Sequence, residues 1–218
     1  MDSATTFDQK HHMEEAAGTS MVEGFGGTAA VVLSILGLIG VLPIALASAA
    51  AIAIGISLIA GGGTMASQYS RFLKRNVLGY AELVRQGMGM EVICGLAGIV
   101  LGVLCLVGLS PMTLLAVVAV VYGCALLMAS VATSRMNAIY APADAESARL
   151  HEWTRIAVYA ARDTEVLIGA ASVVLGILGL AGISPLTVAL VSLLIVGLSV
   201  TLCGLSEAGQ MLGILPAA

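Results

Sequence analysis

Apolar residues in this chain run in three long blocks, residues 22–66, 89–134 and 164–208, each opening near a glutamate and otherwise almost free of charge. Polar stretches set them apart: an N-terminal tail 1–21, connections 67–88 and 135–163, and a short C-terminal tail 209–218. One helix needs about 20 apolar residues to cross a hydrocarbon core of roughly 30 Å. Each block carries about twice that, so each is predicted to be a helical hairpin.

The blocks are copies of one unit. Read forward from Glu23, Glu91 and Glu165, the segments EGFGGTAAVVLSILGLIGVLP, EVICGLAGIVLGVLCLVGLSP and EVLIGAASVVLGILGLAGISP align without a gap. Glycine follows four residues on (Gly27, Gly95, Gly169), proline 20 residues on (Pro43, Pro111, Pro185), and a further glycine 12 residues past the proline (Gly55, Gly123, Gly197). A Gly-x-x-Pro element, Gly40 to Pro43, Gly108 to Pro111 and Gly182 to Pro185, marks each hairpin turn. Glycine ends a helix by taking positive φ, and proline suits the first position of the next. Six transmembrane helices are expected, at 24–41, 43–62, 91–109, 111–131, 165–183 and 185–205. The fold class is thus an all-α integral membrane protein of three parallel-repeat hairpins, related by a pseudo-threefold axis along the membrane normal.

The connections have a pattern of their own. Leu73, Val77, Tyr80, Val84 and Met88 recur at helical spacing against Arg71, Lys74, Arg75, Glu82 and Arg85. Leu150, Trp153, Ile156 or Ala157 and Ala160 do the same among Glu146, Arg149, Glu152 and Arg155. Both read as amphipathic helices, either lying at the membrane surface or solvated and packed on the bundle.

Composition agrees with the pattern and narrows the function. The 218 residues are 59% hydrophobic and 10% charged, with a mean hydropathy of +1.05. Nine Lys and Arg face thirteen Asp and Glu, which excludes a basic nucleic-acid binder. Every basic residue, from Lys10 to Arg162, lies in the tail or the connections and none in a hairpin turn. The positive-inside rule therefore places both termini in the cytoplasm. The N-terminal tail has no pattern of a cleavable signal, so the first apolar run is expected to stay as a span. The uncharged turns are expected to sit shallowly in the outer headgroup zone.

Association within lipid needs close backbone approach over small residues. Candidates are Gly95, Gly98 and Gly102, then Gly176, Gly179 and Gly182, and Ala45, Ala49 and Ala53. The shared positions Ala29, Leu33, Leu36 and Gly40 form one helical stripe, expected to pack each first helix on the bundle.

Glu23, Glu91 and Glu165 are the most distinctive chemical candidates. A symmetric bundle would set them in an interfacial ring, the kind of feature that draws cations into pores. Equally, a carboxylate in the first turn of a helix is stabilised by the exposed N–H groups, by about 0.3 to 1 kcal/mol. On a helical wheel the three lie about 100° or more from the expected stripe. The membrane interior is expected to hold no Asp, Glu, Lys, Arg, His, Asn or Gln, which removes the groups that proton relays and substrate counter-ions use. Thr28, Ser34, Ser57, Thr113, Ser172 and Thr201 are expected to bond to their own preceding helical turn. Cys94, Cys105, Cys124 and Cys203 read as small packing residues. His11, His12, Glu14 and Glu15 read as a solvated tail, and His151 also lies outside the spans, so no catalytic, metal or cofactor site is expected.

Three hairpins, each an apolar glycine-containing helix, a Gly-x-x-Pro turn and a second glycine-containing helix, resemble the HdeD-type family of small bacterial membrane proteins linked to acid resistance. The resemblance implies a bacterial inner-membrane location and a stress-related role. The expected function is that of a non-enzymatic structural or scaffold protein, packing through small-residue faces. Its expected partners are lipid, another copy of itself in a homo-oligomer, or another membrane complex, and no nucleic acid. The alternative is a channel or carrier for a small neutral solute, or for cations drawn by the glutamate ring.

Overall fold

The computed structural model describes the backbone of residues 3–73, 78–139 and 147–214, and the side chains of residues 21–62, 89–130 and 164–205. The described residues form six helices: α1 (Ser3–Leu38), α2 (Pro43–Leu73), α3 (Leu78–Leu106), α4 (Pro111–Ile139), α5 (Ser147–Leu180) and α6 (Pro185–Ile214). No strand occurs among the described residues. Among the described residues, five helices are long and apolar enough to cross a membrane, over Met21–Leu38, Pro43–Gly62, Gly89–Leu106, Pro111–Ser130 and Pro185–Leu205. In α5 the described apolar stretch, Thr164–Leu180, is shorter.

The polar segments join the helices. Residues 3–20 continue α1 backward, 63–73 prolong α2, and 147–163 open α5 without a break. A 34-residue helix such as α5 is about 51 Å long, well beyond the hydrocarbon core. The described parts of the connections are thus continuous with the long helices that they adjoin. Neither 3–20 nor 147–163 contains a proline, and both are rich in good helix formers, so nothing stops a helix once it is nucleated. The side chains of the connections lie outside the described residues, as do those of His11, His12, Glu14, Glu15 and His151.

The odd-numbered helices end at Leu38, Leu106 and Leu180, three residues before the expected ends, because a Schellman cap takes up the intervening residues. Gly40 N–H donates to Gly37 O and Val41 N–H to Leu36 O, at 3.1 and 3.2 Å. The same pair of bonds forms at Gly108 and Leu109, and at Gly182 and Ile183. Gly40, Gly108 and Gly182 take φ of 96°, 89° and 86°, the left-handed region that favours glycine. Leu42, Ser110 and Ser184 follow with φ of 38°, 37° and 41°. A proline next in sequence disfavours the right-handed helical region for the residue before it, and each of these three carbonyls accepts the first backbone bonds of the following helix.

The helices alternate in direction. Gly55 lies against Gly95 while Ser48 lies against Gly102, so rising numbers on α2 meet falling numbers on α3. The α4–α5 and α6–α1 pairs run the same way, through Gly123 with Gly169 and Ala116 with Gly176, and through Gly197 with Gly27 and Leu190 with Gly37. Helices α2, α4 and α6 touch one another, and each odd-numbered helix rests on two of them: α1 on α2 and α6, α3 on α2 and α4, α5 on α4 and α6. Half of each even-numbered span is buried, against 28% in α1 and 33% in α3. The core is one cluster that includes Ala47, Ala51, Ile54, Leu115, Val118, Tyr122, Leu190, Leu193 and Val196.

The expected packing stripe is corrected. Gly40, Gly108 and Gly182 are exposed, with no atom within 4 Å of where a side chain would start. Ala29 is exposed, Leu36 is 39% exposed, and Leu33 only edges the core. The buried face of α1 is instead Glu23, Gly27, Ala30, Ser34 and Gly37, about 100° around the helix. Lipid accepts leucine as readily as a protein interior does, so the residues turned inward are those small enough for close approach. In α2 likewise Ala45 is exposed, while Ala47, Ser48, Ala50 and Ala51 are buried.

The turns yield a prediction free of packing effects. Gly108→Ala should lower the stability of the purified protein by about 1 kcal/mol, the cost of a Cβ in left-handed backbone. Equilibrium unfolding in mixed detergent micelles measures it.

Candidate functional site

The repeat glycines meet across neighbouring units. A methyl group on Gly55 would stand 2.6 Å from Gly95 O, and one on Gly95 would stand 2.7 Å from Gly55 O. Gly123 and Gly169 reciprocate at 2.7 and 2.9 Å, and Gly27 and Gly197 at 2.9 and 3.1 Å. The glycine of each even-numbered helix thus opposes the repeat glycine of the next helix in the chain, and α6 returns to α1. These approaches leave no room for any side chain.

Tyr122 on α4 is fully buried, and its hydroxyl donates to the Ala51 carbonyl of α2. Its ring occupies the space that a side chain on Gly98 of α3 would take: a methyl there would lie 2.3 Å from the ring Cζ. Tyr122 therefore ties three helices at one point. The sequence carries a signal for it, since it is the only tyrosine in the spans and stands where the other repeats place Ile54 and Val196. Gly98 stands where they have Ala30 and Ser172. The largest residue at one repeat position accompanies the smallest at another.

Hydroxyls divide into two groups. Thr28, Ser57 and Thr201 donate to the carbonyl four residues back, at 2.8, 3.0 and 2.8 Å. Ser172 departs from the expected local bond: it donates to Ala119 O of α4 at 2.8 Å and meets Ser192 Oγ of α6, joining three helices. The buried Ser34 Oγ has no hydrogen-bond partner among the described residues.

Glu23 and Glu91 lie on the buried stripe of their helices, only 8% and 7% exposed, and Glu165 is half-buried. They do not point away from the packing face, as the expected stripe had implied. The Glu23 carboxylate lies on Gly61 of α2, where a methyl would come 3.2 Å from Oε1. At the corresponding place on α6, the Cys203 thiol donates to Glu165 Oε1 at 3.7 Å. The Glu23 and Glu165 carboxylates thus act between the two helices of one hairpin. Among the described residues no three His, Cys, Asp or Glu side chains come together in a way that could hold a metal ion. Cys94 and Cys105 are buried, Cys124 is exposed, and all four cysteines are free.

Long apolar helices, an inward face of small residues on the odd-numbered helices and an outward face of Val32, Ile35, Val100, Val103, Val174 and Ile177 define the class: a multi-pass α-helical membrane protein. The chain matches no protein-family model, and neither a curated protein nor a solved structure shows detectable similarity to it.

Three comparisons test this geometry by unfolding. Gly123→Ala should cost about 1 to 3 kcal/mol through overpacking, while Gly89→Ala, exposed and with nothing within 4 Å among the described residues, should cost nothing. Gly98→Ala should be strongly destabilising in the native chain and much less so when combined with Tyr122→Ala; equal costs in both backgrounds would mean that the ring and the glycine do not share one space. Ser34→Ala should stabilise by about 1 kcal/mol by removing a buried hydroxyl without a partner, whereas Ser172→Ala should destabilise.

Proposed function

We propose that the chain is a six-span scaffold of the bacterial cytoplasmic membrane, made of three parallel hairpins around a pseudo-threefold axis, with α5 as the sixth span. Both termini and the connections lie in the cytoplasm, where the basic residues are. The protein is non-enzymatic and works by packing: its outward faces meet lipid, another copy or a membrane complex. A stress-related role is in keeping with the HdeD-type resemblance.

The observation that carries this reading is the filled interior between α2, α4 and α6. Ile54, Leu115, Tyr122, Leu190, Leu193 and Val196 are all at most 2% exposed and belong to one cluster. A solute path along that axis would need polar lining or open width. Side chains that interlock across three helices offer neither.

The second reading, a cation pathway, draws on the burial of Glu23 and Glu91 between helices. Such groups are costly to place at membrane depth and are functional when they line a path. The position of Glu23 and Glu165 against their own hairpin partners favours a role in holding the hairpin together.

Liposome reconstitution separates the two. The scaffold reading expects no cation or small-solute flux above that of empty vesicles. It also expects Glu23→Gln, Glu91→Gln and Glu165→Gln together to change stability alone. Flux that disappears in the triple variant while the fold persists would establish the pathway instead. Native mass spectrometry from lipid nanodiscs should show homo-oligomers or a retained partner, and a strictly monomeric protein without one would argue against the scaffold.

A further inference from the structure

We draw no further inference here: the strongest candidate, the side-chain cluster of Glu165 and the Cys203 thiol between α5 and α6, is a single cysteine hydrogen-bonded to a carboxylate, and nothing in the structure points to a ligand for it.

Discussion

Backbone-to-backbone approach at three pairs of glycines is the constraint on which this structure rests. Gly55 with Gly95, Gly123 with Gly169, and Gly197 with Gly27 bring antiparallel helices so close that even a methyl would collide with a carbonyl oxygen. In lipid, apolar side chains gain little by leaving the solvent, so helix association rests on dispersion between surfaces that fit and on the few hydrogen bonds made between helices. Missing side chains thus do more for this bundle than large ones. Each crossing links one hairpin to the next, and the third returns to the first, so the ring closes within one chain.

Around that frame, polar groups act as local ties. Tyr122 reaches across to the Ala51 carbonyl through the space left by Gly98, and Ser172 joins Ala119 O and Ser192. Such bonds are each worth about 0.6 kcal/mol on average in membrane proteins, so they set register more than they supply stability. They also differ between repeats. The glycine crossings are common to all three units, while Tyr122 belongs to the second and the Ser172–Ser192 pair to the third.

The carboxylates follow the same division. Glu23 and Glu91 are almost fully covered, Glu165 less so, and each lies near the end of its hairpin opposite the turn. Burial of a carboxylate is tolerated when hydrogen bonds satisfy it. Glu165 accepts from the Cys203 thiol at the repeat position where, in the first hairpin, Gly61 leaves room for the Glu23 carboxylate.

Much of this was legible from residues alone. Apolar run length determined helices that can span a membrane, and Gly-x-x-Pro determined where the chain turns. These are local matters, governed by backbone sterics and by the length needed to cross lipid. Which face of each helix turns inward was decided by tertiary structure. The recurring leucines Leu33 and Leu36 suggested a packing face, but lipid and protein interior are nearly equal solvents for leucine, and the choice fell to Gly27, Ala30, Ser34 and Gly37 by their size. The partner of each repeat glycine was likewise not written in its spacing. Only the closed arrangement sets Gly27 against Gly197, because a helix face finds its complement in whichever neighbour the completed ring brings to it.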